Sequence, residues 1–130
     1  MPRIFSFRGK SSEELQKISM AEFSKMVTSR QRRALKRMGM DYKALIAKVD
    51  EARTSGSNKI IKTQVREAVI LPSWLGLKFG VNDGKEFKEM VITPQMLGHR
   101  LGEFAFTTKR VLHSAPGIRA TRGSKFLAVK

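Results

Sequence analysis

The chain has 130 residues, a length that suits one domain with an appendage better than two independent cores. Lys and Arg total 26 against 11 Asp and Glu, which gives a formal net charge of +15. A monomer with this charge repels itself unless a polyanion neutralises it. We therefore expect a nucleic-acid partner rather than an anionic membrane or a surface whose charge serves solubility alone. The chain contains no cysteine, which excludes disulfides and thiolate metal sites.

The first ten residues intersperse basic and aromatic side chains and lack the apolar segment of a signal peptide. No run in the sequence approaches the roughly 18 apolar residues that a membrane span requires. These two features predict a soluble, cytoplasmic protein.

Helix-start patterns dominate the beginning of the chain. Ser11 with Glu14, and Ser19 with Glu22, have the spacing of capping boxes, in which a hydroxyl and a carboxylate satisfy free amide groups. Apolar residues then recur at helical spacing, and Thr28 indicates a break between two helices.

A further helix is predicted before residue 54. Gly39 is a residue type typical of the C-terminal cap of a helix, here the preceding one. Asp41 is typical of the N-cap of the next helix. That helix has an apolar stripe, part of which we expect to remain available for another protein. The stripe consists of Tyr42, Leu45, Ile46 and Val49. Residues 54–59 have the small and polar composition of a loop and mark the internal boundary.

Strand patterns follow this boundary. Residues 77–82 alternate apolar and polar side chains, and residues 85–92 do so again after the turn-forming pair Asp83 and Gly84. These features predict a hairpin. Pro94 then has the position of a first helical residue, which predicts a short helix through Met96 and Leu97.

Together these elements predict an α+β fold: N-terminal helices, a small, mainly antiparallel sheet with a hairpin and a short helix, and an extended basic C-terminal tail. We divide the chain into a helical N-terminal region with an arginine-rich helix (1–59), an α+β RNA-binding core (60–106) and the basic tail (107–130).

Every charged side chain between residues 23 and 40 is basic, and five of them lie within little more than two helical turns. Like charges at such spacing destabilise an isolated helix, so a partner with phosphate groups is expected to supply the counter-charge. Arg suits this role because its planar fork matches phosphate oxygens. The alternative is a solvated helix face without a partner. The predicted phosphate-binding residues of this helix are Arg30, Arg32, Arg33, Lys36 and Arg37.

Further RNA contacts are predicted at the hairpin, at the glycine-containing residues 98–102 and in the tail. Gly98 and Gly102 allow a backbone to approach a large ligand closely. No acidic residue follows Glu103, and the tail lacks the composition of a core, so we expect it to become ordered on a polyanion. Phe104 and Phe106 can stack on bases, although burial in the core is the commoner role. The predicted contacts are Lys78, Lys85, His99, Arg100, Lys109, Arg110, His113, Arg119, Arg122 and Lys125.

Catalysis is not expected. His99 lies four residues before Glu103 and on a helix would form a general-base pair with it, but Gly98 and Gly102 argue against that helix. No Ser has an evident activating partner, and two isolated histidines with scattered carboxylates do not form a metal triad. We therefore predict neither an enzyme nor a cofactor.

Several segments resemble a known family. They are ILPSWLG (residues 70–76), NDGK (82–85) and ITPQMLGHRLGEFA (92–105). Together they resemble the family numbered nineteen among small-subunit ribosomal proteins, called fifteen in eukaryotes. RQRRAL (30–35) and PGIRAT (116–121) are similar to its archaeal and eukaryotic branch.

The resemblance implies a structural constituent of the small ribosomal subunit, located in the cytoplasmic ribosome. It implies binding to ribosomal RNA in the subunit head beside the neighbouring protein thirteen, with the tail near the decoding site and transfer RNA. Residues 41–59 match the family least. Charge alone also fits an architectural DNA-binding protein, which is the main alternative.

Overall fold

The structure, a computed structural model, describes residues 4–111 and residue 117. The first half of the chain forms four α-helices: α1 (Ser12–Gln16), α2 (Met20–Met26), α3 (Ser29–Lys36) and α4 (Met40–Thr54). The second half forms three strands: β1 (Ile61–Thr63), β2 (Lys78–Asn82) and β3 (Phe87–Val91). Short 3-10 helices lie at Pro72–Trp74, Pro94–Met96 and Leu101–Phe104. This content confirms the predicted α+β fold.

The first two helices begin at the positions that the capping-box patterns predicted. The Ser11 hydroxyl accepts a hydrogen bond from the Glu14 amide at 3.4 Å, and the Glu14 carboxylate accepts one from the Ser11 amide at 3.0 Å. At α2 the Ser19 hydroxyl accepts the Glu22 amide at 3.3 Å. Thr28 is the N-cap of α3, so the predicted break between α2 and α3 is also confirmed.

The predicted roles of Gly39 and Asp41 were wrong. Helix α3 ends at Lys36, and Arg37 is its C-cap, because its backbone already leaves the helical region there. Gly39 instead has an extended conformation (φ −74°, ψ 172°) and is the N-cap of α4, which places Asp41 inside the first turn. The predicted end of α4 at Thr54 is confirmed.

The apolar stripe of α4 packs inside this chain. Tyr42, Leu45 and Val49 are buried, and the Tyr42 hydroxyl donates to the Val69 carbonyl at 2.9 Å. The Tyr42 ring also meets the Trp74 ring edge-on, with 6.2 Å between centroids. Three of the four stripe residues therefore pack within this chain, and Ile46 is the one that stays partly exposed.

The sheet is mixed, with the strand order β1-β2-β3. Strands β2 and β3 form the predicted antiparallel hairpin, in which Gly80 is paired with Glu89. Strand β1 pairs parallel to β2, with Ile61 opposite Phe79, which the sequence patterns did not indicate. Parallel neighbours require a crossover of about a dozen residues or more, and residues 64–77 provide it.

The hairpin turn is held by two short polar side chains. The Asp83 carboxylate accepts hydrogen bonds from the amides of Lys85 at 3.0 Å and Glu86 at 2.8 Å. The Asn82 side-chain oxygen accepts one from the Gly84 amide at 2.6 Å. The hydrogen bonds from Glu86 and Lys85 lower the pKa of Asp83. Gly84 has a φ of +103°, a conformation that glycine adopts without strain.

One hydrophobic core joins both halves. Phe23 of α2, Leu35 of α3 and Leu101 are buried in the same cluster as Trp74 and Phe79, whose ring centroids lie 5.1 Å apart. The helices therefore pack on the sheet region and position the basic surface of α3 relative to residues 98–102. Within the described ranges, no helix combines the length and apolar character needed to cross a membrane.

Candidate nucleic-acid interface

Helix α3 exposes a row of basic side chains. Leu35 is buried and anchors the helix in the core, which directs the opposite face to solvent. Four of the five predicted phosphate-binding residues are exposed: Arg30, Arg33, Lys36 and Arg37. Within residues 4–111, His99 with Glu103 is the one ion pair, so no lysine or arginine there is neutralised by a carboxylate. The helix therefore retains its full positive charge.

Arg32 has a structural role that the sequence did not indicate. Its Nε donates to the Ser24 carbonyl at 2.9 Å, and one terminal nitrogen contacts the carbonyls of Lys25 and Val27 at 3.3 Å each. These are carbonyls at the C-terminal end of α2, which the helix itself leaves without partners. The guanidinium thus fastens α3 to α2 and is only partly exposed.

The glycine-containing loop, residues 98–102, lies beside α3. Arg100 is partly buried, and its Nε donates to the side-chain oxygen of Gln31 in α3 at 3.4 Å. The loop is held from its other side by residues 66–70, where the Ile70 amide donates to the His99 carbonyl at 2.8 Å. Arg100 and α3 consequently belong to one surface.

Gly98 and Gly102 each have a role within the chain, a positive φ at Gly98 and close packing at Gly102. Gly98 has a φ of +78° and lies against Val27, whose Cγ1 is 3.5 Å from the position of an added Cβ. At Gly102 an added Cβ would lie 3.1 Å from the Arg66 carbonyl oxygen. These contacts explain the two glycines without a ligand, although the sequence suggested an approach to phosphate.

Arg66 is the residue that sequence reasoning missed. Its guanidinium donates to the carbonyls of Asn82, Gly102 and Ala105, the Gly102 bond measuring 3.0 Å. It thereby ties the end of β2 to the 3-10 helix from which the tail departs. In the sequence, Arg66 stands apart from the arginine cluster of α3 and next to an acidic residue, Glu67.

His99 and Glu103 form the pair that the two glycines appeared to prevent. The His99 Nδ1 lies 2.7 Å from a Glu103 carboxylate oxygen, since the 3-10 helix Leu101–Phe104 brings the two side chains together. The His99 side chain is 54% exposed and that of Glu103 45%. The ring of Phe104 meets the imidazole edge-on at 5.9 Å. The imidazole is thus held from two sides, and its Nε2 is the nitrogen that remains for an external partner.

The two hairpin lysines lie far from each other. Lys78 begins β2 opposite Val91, whereas Lys85 lies in the turn, and both are exposed. A five-residue strand spans about 16 Å, so the two ammonium groups do not form one cluster. The structure therefore brings Arg100 to α3 but does not gather Lys78 and Lys85 into one site.

Part of the predicted tail interface falls outside the described residues. Lys109 and Arg110 are exposed, as is Phe106 at 67%, whereas Phe104 packs against the core. The predicted contacts outside the described residues are His113, Arg119, Arg122 and Lys125. Within the described residues, no group of three or more His, Asp or Glu side chains is arranged to hold a metal ion.

Comparison with known proteins decides the family. A family model described as ribosomal protein S19 matches residues 32–113, which is more than half of the chain. The chain belongs to the ribosomal protein S19 family. The family resemblance of the sequence motifs is thus confirmed.

Two archaeal relatives of the S19 family are similar over nearly the whole chain. A small ribosomal subunit protein uS19 from Saccharolobus solfataricus is 53% identical over 128 residues, covering 97% of this chain and 91% of its own length. The protein of the same name from Metallosphaera sedula is 46% identical over the same shares. The S19 model also includes residues 41–59, which the sequence motifs suggested to be the least similar part.

Proposed function

We propose that this chain binds ribosomal RNA in the head of the small ribosomal subunit through α3 and residues 98–102. As a member of the S19 family it is a structural protein of the small subunit and acts in the cytoplasmic ribosome. One observation carries the RNA-binding proposal: α3 exposes four cations that no carboxylate of the described residues pairs with, beside the loop that contains the family's most specific motif.

The α3 cations neutralise phosphates. Arg30, Arg33, Lys36 and Arg37 project from one short helix, so they follow the phosphates of one RNA backbone and release its condensed counterions. Each guanidinium group donates hydrogen bonds to two phosphate oxygens at once, which also sets its orientation. Arg32 contributes indirectly because it fixes α3 on α2.

His99 and Arg100 extend the same surface. With Nδ1 held by Glu103, the His99 ring offers Nε2 to a phosphate or base and its face to an unpaired base. Arg100 is aligned by Gln31. Lys78 and Lys85 then contact separate parts of the RNA from the two ends of β2.

The position of the chain relative to its neighbours in the subunit is also a proposal. We place the chain beside the neighbouring protein thirteen, with residues 107–130 extending towards the decoding site and transfer RNA. The family motifs and the acid-free composition after Glu103 support this arrangement. In this arrangement, residues 1–59 and 60–106 supply the folded RNA-binding body. No chemical step is part of the function.

Salt dependence tests the phosphate model. The double variant Arg33→Gln with Lys36→Gln is expected to lower the slope of log affinity against log salt by about 1.4 to 1.8, because two counterion releases are lost. The matched control is Lys17→Gln with Arg53→Gln, which removes the same charges from exposed sites in other elements. Filter binding of small-subunit ribosomal RNA over a salt series measures both.

Equal losses of slope in the two double variants would contradict a role for α3. Competition of the same RNA with duplex DNA addresses the architectural DNA-binding alternative. A preference of the unaltered chain for duplex DNA would decide for that alternative.

A further inference from the structure

A cleft of about 1070 Å³ lies between α4 and the extended segment that follows β1. Residues 62–69 form one wall, and α4 together with the end of α3 forms the other. Five basic residues from four parts of the chain line it: Arg37, Lys48, Lys62, Arg66 and Arg100. Lys48 and Lys62 are not among the RNA contacts that the sequence predicted.

The cleft has a positive charge. Its carboxylates are Asp41 and Glu67, and in the part of the chain that the structure describes neither forms an ion pair with a basic side chain. Arg66 is already bonded to three carbonyls, so its charge contributes but its donors are largely used. The cleft therefore attracts an anion without being neutralised from within.

The walls of the cleft are held in place by contacts across it. The Tyr42 hydroxyl of α4 donates to the Val69 carbonyl at 2.9 Å. The Lys48 ammonium lies 3.5 Å from the Lys62 carbonyl on the opposite wall. A ligand thus meets a preformed cleft, which lowers the entropic cost of binding.

We propose that this cleft binds an unpaired segment of ribosomal RNA, with its phosphates on Lys48, Lys62 and Arg37. The inference rests on the proposed RNA binding and adds a second contact surface, continuous with α3 through Arg37 and Arg100. A concave, basic groove suits a single strand, whose backbone it can follow, whereas duplex RNA is recognised across the broad surface of its minor groove.

The chemistry of the cleft also favours RNA over a peptide. Strand β1 is at the edge of the sheet and can in principle accept an added strand from another protein. An added peptide strand carries no backbone charge, whereas each nucleotide carries one phosphate that the basic lining of the cleft attracts. Ala44 and Val65 supply small apolar surface for a base between those cations.

Two alanines on α4 provide a matched test of occupancy. Ala44 and Ala47 are both exposed, but only Ala44 lines the cleft. The Ala44→Glu substitution is expected to weaken binding of an oligouridylate of roughly ten nucleotides at least tenfold, because it places a carboxylate among the phosphates. Ala47→Glu is expected to change the affinity less than twofold. Circular dichroism and thermal melting of both variants check that each is folded.

A second pair of variants measures the phosphate contacts. Lys48→Gln with Lys62→Gln is expected to lower the salt slope of oligouridylate binding by about 1.4. Lys43→Gln with Lys59→Gln removes the same charge from exposed positions outside the cleft and is expected to leave the slope unchanged. Equal affinities of the Ala44→Glu and Ala47→Glu variants, or equal slopes of the two lysine pairs, would overturn the cleft inference.

The outcomes separate the cleft from the proposed function. If the unaltered chain does not bind ribosomal RNA, the proposed function fails. If it binds and the folded Ala44→Glu variant binds equally well, only the cleft inference fails. If Ala44→Glu leaves RNA affinity intact but blocks incorporation into assembled subunits, the cleft belongs to a protein partner and the inference is likewise overturned.

Discussion

The exposed cations of α3 and Arg66 of the link segment, which we define as residues 64–71, differ in what their side chains contact. Four cations of α3 point to solvent and have no partner within residues 4–111, whereas Arg66 of the link segment donates to three carbonyls of its own chain. The backbone explains the difference. The carbonyls of a regular helix are already bonded within it, while the irregular stretches around Arg66 leave carbonyls that need a donor. Where backbone carbonyls lack a donor, an arginine side chain hydrogen-bonds to them and stabilises the fold.

The largest expected effect is on Arg66. The Arg66→Met variant should lose about 3 kcal/mol of unfolding free energy, because three carbonyls lose a charged donor. Arg33→Met, the control on α3, should change stability by less than about 0.5 kcal/mol. Urea denaturation of the two proteins measures both values. Similar losses in the two variants would remove the distinction between the two regions.

Gly102 tests how closely the chain packs on the link segment. Gly102→Ala should lower the free energy of unfolding by about 2 kcal/mol, since the added Cβ would lie 3.1 Å from both the Cβ and the carbonyl oxygen of Arg66. The control is Gly39→Ala, where no atom lies within 4 Å of the added Cβ. It should cost only about 0.5 kcal/mol, through a weaker N-cap. Thermal melts that rank the two variants in the reverse order would refute the packing argument.

Tyr42 tests the hydrogen bond that holds α4 on the link segment. The Tyr42→Phe variant should lose about 1 kcal/mol near neutral pH, because the Val69 carbonyl loses its donor. Denaturant midpoints at pH 7 measure the loss. An unchanged midpoint would mean that the bond contributes nothing to stability.

The pH dependence of the same pair has a definite sign. Burial raises the pKa of Tyr42 above its ordinary value of 10.0, so the folded protein keeps a proton that the unfolded chain releases. The stability of the unaltered protein is therefore full below pH 10 and should fall above it by about 1.4 kcal/mol per pH unit. Tyr42→Phe lacks this fall. Because Tyr42 is the one tyrosine of the chain, tyrosinate absorbance follows its titration directly.

Much of the local structure could be predicted from residues close together in sequence. Ser11 and Glu14 define a helix start within three residues, and Asp83 with Gly84 defines the hairpin turn. The same locality explains the errors at Gly39. A glycine after a helix fits a C-terminal cap and the N-cap of a following helix equally well, and only the path of the chain distinguishes them.

The candidate interface was predictable in composition but not in arrangement. The basic residues of α3 are evident from the sequence, yet Arg32 differs from Arg33 only in facing the end of α2. The sequence predicted a ligand contact at the glycine-containing loop but did not indicate that Gly102 packs against Arg66, 36 residues earlier. Pairing between His99 and Glu103 depended on a 3-10 helix that the glycines did not prevent.

By itself the sequence determined the charge of this protein, the start of its first helices, the β2–β3 hairpin and, through its motifs, the family. These features depend on composition or on contacts between residues a few positions apart. The tertiary structure decided the parallel pairing of β1, the burial of the α4 stripe, the roles of Arg32 and Arg66, and the cleft beside α4. Each of these depends on which distant carbonyls and apolar faces the folded chain brings together. The sequence around an arginine does not indicate which of those carbonyls its side chain will contact.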